Sequence, residues 1–107
     1  MSLRVKRYLP VLKRLSKLGD KVKREYVRKC ERQFIDCVSE CAKNVIKGNV
    51  PLSDRQKSEL RRKKKDLIAL SLNKTSLGQK RRILQKGGFL TALLPPILAV
   101  LGSLFAK

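Results

Sequence analysis

Eighteen consecutive uncharged residues, Phe89 to Ala106, follow a Gly87-Gly88 seam at the end of a densely basic chain of 107 residues. Residues 1–86 hold all eight acidic residues and 26 of the 27 Lys/Arg, a net +18, and the tail holds only Lys107. Two incompatible solvent preferences are thus joined in one short polypeptide. Polyanions attract the body, while the tail must find lipid, a partner groove or its own kind. The chain divides accordingly into a basic amphipathic segment, 1–19, a basic helical domain, 20–86, and the seam with its hydrophobic tail, 87–107.

Without the tail, a body this small buries only ~60–65% of its unfolded surface, so it is expected to be marginally stable alone. With three Phe, two Tyr and no Trp, its core must be built from Leu, Val, Ile and Cys. No His is present, which removes the commonest general acid/base and a common metal ligand, so neither an enzyme nor a metal or other cofactor is expected. A net charge of +19 far exceeds the ~2–8 that solubility needs. Nucleic acid is the first partner it implies, and anionic membrane the second, since each Lys/Arg near such a surface contributes ~1 kcal/mol. The stretch MSLRVKRYLPVLKRLSKLG scatters charges through its apolar residues and has no small-residue cleavage site, so it does not read as a secretory signal.

Spacing along the body predicts helices and no sheet. Leu3, Tyr8, Leu12, Leu15 and Leu18 suggest a short amphipathic helix starting or restarting after Pro10. Gly19-Asp20 then reads as a stop and an N-cap. From Lys21 to Lys47, Tyr26, Cys30, Phe34, Cys37, Val38, Cys41 and Val45 recur at three and four residues, which predicts one helix of ~40 Å as the spine, closed by Gly48. Pro51 makes Asn49 to Leu52 an extended connector. Ser53 and Gln56 match a capping box, opening a helix over about 54–72 whose buried stripe is Leu60, Leu67, Ile68 and one of Leu70 or Leu72. Ser76 and Gln79 repeat the spacing ahead of a helix over about 77–86. The expected fold class is all-α, a small bundle of three to four basic amphipathic helices followed by a proline-interrupted apolar segment.

The run Arg61, Arg62, Lys63, Lys64, Lys65 falls within a helix, with Arg55, Lys57, Lys80, Arg81 and Arg82 nearby in sequence. Five consecutive helical residues spread over every face, so these ten residues suit bulk attraction to phosphates, non-specific binding of double-stranded DNA, better than base reading. Cys30, Cys37 and Cys41 lie on one apolar stripe at spacings of seven and four and read as reduced core side chains in a reducing compartment. In the tail, Phe89, Leu90, Leu93, Leu94, Ile97, Leu98, Val100, Leu101, Leu104 and Phe105 are candidates for membrane contact. Eighteen helical residues would span ~27 Å, but Pro95-Pro96 interrupts that helix, so two half-helices at the interface are expected rather than a span. The alternative is docking onto another protein or onto the body itself.

Lys86-Gly-Gly-Phe-Leu90, preceded by Lys80-Arg-Arg82 and followed by a proline-broken run of Leu, Ile, Ala and Val, resembles the C-terminal part of the adenovirus late protein X precursor, source of the DNA-condensing Mu peptide. It is also similar to the X-type proteins of adintoviruses and Maverick/Polinton elements. Residues 1–79 resemble the latter loosely, through Cys37-Val-Ser-Glu-Cys41 and Gly48-Asn-Val-Pro-Leu52. The resemblance implies a small virion core component, present in virions and in the host nucleus or site of viral assembly. It also implies cutting by an adenovirus-type cysteine protease between Gly88 and Phe89, with Gln85, Lys86 and Gly87 in its groove. That protease prefers an aliphatic residue four positions before the cut, where this chain has Gln85.

The expected function is therefore a non-enzymatic virion protein that binds DNA through phosphates and contacts membrane or capsid proteins through its tail, with oligomerisation left open. The alternatives are a membrane-active accessory protein and a capsid cement protein.

Overall fold

A computed structural model describes residues 2–105, with side chains as far as Leu101. Its regular elements are all α-helices: α1 (Leu3–Ser16), α2 (Asp20–Lys29), α3 (Arg32–Ile46), α4 (Asp54–Arg62), α5 (Lys64–Ser71), α6 (Leu77–Leu84) and α7 (Phe89–Phe105). The all-α expectation holds. The expected three to four helices become seven because two of them are each divided and because the tail is itself a helix.

The expected 21–47 helix is divided at Cys30 and Glu31, both in extended conformation with ψ of 159° and 161°. Undivided, it would run ~40 Å, whereas the molecule measures 34 × 28 × 26 Å. No Gly or Pro marks the break; contacts from distant helices hold it. Arg81 of α6 donates Nη1 to the carbonyls of Val27 (2.6 Å) and Cys30 (2.9 Å), satisfying acceptors that the end of α2 leaves open. From α1, the Tyr8 hydroxyl donates to the Glu31 carboxylate at the start of α3. That carboxylate, together with burial, pushes the Tyr8 phenol up to about 12. Across the break Tyr26 stacks on Phe34 with ring centroids 5.0 Å apart, and Tyr8 meets Phe34 edge-on at 5.7 Å.

The expected 54–72 helix turns at Lys63 (φ −107°, ψ 19°). Its start is the expected capping box: Gln56 N–H donates to Ser53 Oγ (3.2 Å), and Ser53 N–H donates to Gln56 Oε1 (2.9 Å). The turn lets α4 pack on α7 while α5 packs on α3 and α6, two directions that one straight helix could not serve. Leu60, Leu67 and Leu70 are buried, whereas Ile68 and Leu72 are exposed. At the second expected cap, Gln79 N–H donates to Ser76 Oγ (3.1 Å). Gly48 ends α3 with φ of 79°, a left-handed conformation that a side chain would strain.

Both proline expectations are corrected. α1 begins at Leu3 and runs through Pro10, which sits on its exposed face where the carbonyl four residues back can meet water. α7 likewise continues through Pro95 and Pro96. A proline in a helix interior costs ~3 kcal/mol, so two cost ~6. Six side chains of α7, namely Phe89, Leu90, Leu93, Leu94, Ile97 and Leu101, are no more than 3% exposed. At ~1.5–3 kcal/mol each, their burial outweighs the prolines.

Two helices organise the core. α3 contributes Phe34, Ile35, Cys37, Val38, Cys41 and Ala42 and packs against α1, α5 and α6; α7 packs against α1, α4 and α6. Residues from 1–19, 20–86 and 87–101 all enter this single core. A polar tie joins α2 to the first turn of α7. The Lys23 ammonium, only 5% exposed, donates to Thr91 Oγ1 (2.9 Å), whose hydroxyl donates to Asp20 Oδ1 (2.9 Å).

Candidate nucleic-acid interface

Before the seam, every Lys and Arg except Lys23, Lys43, Lys63, Lys80 and Arg81 is exposed. Within 4 Å of carboxylates are Arg28 and Lys29 on Glu25, Arg32 on Asp36, Arg55 on Glu59 and Lys86 on Asp66. These are pairs at the surface, where each contributes ~0–1 kcal/mol, so they leave most of the positive field in place. The cations are distributed over α1 to α6 rather than drawn into one stripe.

Six of the ten expected phosphate contacts, Arg55, Lys57, Arg61, Arg62, Lys64 and Lys65, are exposed along α4 and α5, about the corner at Lys63. Lys63 itself is half-buried, and its Nζ lies 3.8 Å from the position a Cβ on Gly88 would take. The corner of the basic run thus lies against the seam, an adjacency reinforced by Lys86, which donates to both oxygens of Asp66 (3.1 and 2.9 Å). Sequence spacing could not show this meeting of residues twenty or more positions apart.

The run Lys80-Arg81-Arg82 separates by function, because successive helical side chains point about 100° apart. Arg82 faces outward. Arg81 is turned inward and committed to the end of α2, with Nη1 also 3.5 Å from Cys30 Sγ. Lys80 is 7% exposed, and desolvation lowers its pKa. As the chain is folded, then, Arg81 is a helix cap rather than a surface phosphate ligand, and Lys80 opens onto a cleft instead of the outer face.

At the seam, Gln85 ends α6, Lys86 and Gly87 are exposed, and Gly88 adopts φ of 79°. Phe89 is 1% exposed and already helical: its N–H reaches Lys86 O (3.2 Å), and Ala92 N–H reaches Gly88 O (3.0 Å). The Gly88–Phe89 bond is therefore accessible on one side and anchored on the other.

Of the candidate membrane contacts, Phe89, Leu90, Leu93, Leu94, Ile97 and Leu101 are core residues, and Leu98 and Val100 are half-buried against that core. The side chains of Leu104 and Phe105 lie outside the described residues. Among the described residues no single helix is long and apolar enough to cross a membrane; α6 with residues 89–101 passes by length and composition only as a pair bent by 91°.

Cys37 and Cys41 are buried and Cys30 is half-buried, all with free thiols. The hydrogen bond to Cys37, with burial, holds the Cys41 thiol well above its ordinary value, and burial raises Cys30 against the opposing pull of Arg81. Both shifts disfavour the reactive thiolate. Among the described residues no three His, Cys, Asp or Glu side chains come close enough to hold a metal ion. Comparison with protein-family models, with curated proteins and with solved structures finds no match to this chain.

Proposed function

We propose that this chain is a non-enzymatic, sequence-independent DNA-binding protein of a virion core, which holds phosphates with exposed Lys and Arg. The observation that carries this reading is the exposure of nearly all the cations over six helices, with few carboxylates beside them. Such a field attracts any polyphosphate and offers no element cleared of competing charge for reading base edges. The virion assignment is supported by the resemblance of Lys80 to Ala106 to the protein X precursors, and processing after Gly88 by the exposure of Lys86 and Gly87. In this folded form the apolar tail serves first as the core helix of the basic body. Contact of the tail with membrane or capsid would follow its release from that core.

The test is duplex binding by the full chain across a salt series. Affinity should fall steeply and linearly on a log–log scale and be similar for unrelated sequences. Replacing Arg61, Arg62, Lys63, Lys64 and Lys65 with Gln should flatten the slope by about 0.9 for each phosphate contact removed. A salt-insensitive affinity, or strong preference for one sequence, would overturn the reading.

A further inference from the structure

The Lys80 ammonium has no hydrogen-bond or ion-pair partner among the described residues, although the residue is only 7% exposed. Two adjoining hollows of about 200 and 240 Å³ share Lys80, Asp36 and Asn73 in their walls. Arg32 borders the first, and Ser39, Lys43 and Arg4 border the second. The Ser39 hydroxyl, on the wall contributed by α3, is buried with nothing to bond. A buried hydroxyl left without a partner is destabilising, and desolvating an ammonium more so, which Asp36 offsets only in part.

The charge of the walls indicates what is missing. Four cationic groups, Arg4, Arg32, Lys43 and Lys80, face two carboxylates, Asp36 and Glu40, an excess of two positive charges. Of the carboxylates, Glu40 is engaged by hydrogen bonds, while Asp36 stands in both walls and offsets part of the Lys80 charge. Glu40 accepts from the backbone N–H and the hydroxyl of Ser2, both at 2.7 Å, and Asp36 lies 3.8 Å from Arg32 Nε. Asn73 Oδ1 is taken by the Lys43 ammonium (2.8 Å), which leaves the Asn73 amide N–H groups to donate. Besides Asp36, the uncommitted groups are donors: the Lys80 ammonium, the Ser39 hydroxyl, the Asn73 amide and the remaining N–H of Lys43. Their complement is a compact acceptor-only group bearing negative charge. Either hollow is large enough to admit such a group.

We propose that the cleft between α3, α6 and the 73–77 loop is a binding site for one tetrahedral phosphate group, held by Lys80, Ser39, Asn73 and Lys43 with Arg4 at its edge. Two sources share that chemistry, free phosphate or a small phosphoester, and a single phosphate of a nucleic-acid backbone. The site does not depend on the broad electrostatic binding proposed above, because its donors line one half-open hollow rather than the outer surface.

Backbone amide NMR of the full chain, titrated with inorganic phosphate against chloride at matched ionic strength, tests the proposal. Saturable shifts are expected at Ser39, Asn73 and Lys80, and they should persist in a variant with Arg61, Arg62 and Lys64 replaced by Gln. Lys80→Met should weaken phosphate by about tenfold or more. Ser39→Ala, a smaller change, should weaken it by several-fold and guards against Lys80→Met failing to fold. Shifts spread without saturation over the basic surface, or both variants binding phosphate like the parent chain, would overturn the site. A short duplex added to the phosphate-loaded chain distinguishes the sources: displacement of phosphate identifies a backbone phosphate as the occupant, and retention identifies a free one. Loss of phosphate binding in Lys80→Met with duplex affinity intact at low salt would separate this site from the general DNA interface.

Discussion

Arg81 illustrates how one residue can leave the role its neighbours suggest. It lies in a basic triplet, yet its guanidinium holds the carbonyls of Val27 and Cys30 at the end of α2 and so maintains the break between α2 and α3. Arg81→Met should destabilise the protein by about 1–3 kcal/mol, since buried carbonyls would lose a charged donor. Arg82→Met, at the exposed next position, should change stability by less than about 0.5 kcal/mol. Urea denaturation of the two variants decides the matter, and equal, small effects would remove the capping role. The sequence placed Arg81 on a helix but could not place its partner, 51 and 54 positions away in the chain. The same holds for Lys80, where composition registers a cation and only the fold shows that it has been taken out of water.

Element starts were more legible than element breaks. Ser53 with Gln56, Ser76 with Gln79 and Gly48 are local signals, satisfied within a few residues, and each lies where its spacing suggests. The breaks at Cys30–Glu31 and Lys63 carry no local signal, because each serves contacts with a distant helix. α7 shows the converse, where a strong local signal, Pro95-Pro96, is overridden by packing. Its burial would also govern the processing proposed after Gly88. Phe89 anchors the bond after Gly88, so an adenovirus-type cysteine protease should cut there at a rate set by the opening of α7. Leu94→Ala, which removes part of a fully buried side chain, should cost about 2–5 kcal/mol and accelerate cutting in proportion to the larger open population. Mass spectrometry over a digestion time course would show a peptide beginning at Phe89. Equal rates in parent and Leu94→Ala chains would mean that the bond is accessible without opening.

For the whole molecule, the decisive quantity is +19 charges carried within a radius of gyration of 12.6 Å. Self-repulsion on that scale opposes compaction, and salt relieves it because the screening length at physiological ionic strength, ~8 Å, is shorter than the molecule is wide. The melting temperature should rise with sodium chloride and rise further with a short duplex at equal ionic strength. Duplex at about 100 times its dissociation constant should add ~2.7 kcal/mol through binding to the folded state. A melting temperature that falls with salt would show that repulsion does not limit the fold. By itself the sequence determined the helical class, the two serine-capped helix starts and the excess of charge, because periodicity, caps and net charge are local or additive properties. Only the tertiary structure decided where the apolar tail goes, which cations face water, and that Lys80, Ser39 and Asn73 share one cleft. Those outcomes depend on which distant surfaces bury one another: α7 packs on α1, α4 and α6 in the shared core, and α6 turns Arg81 onto the end of α2 and Lys80 into a cleft beside α3.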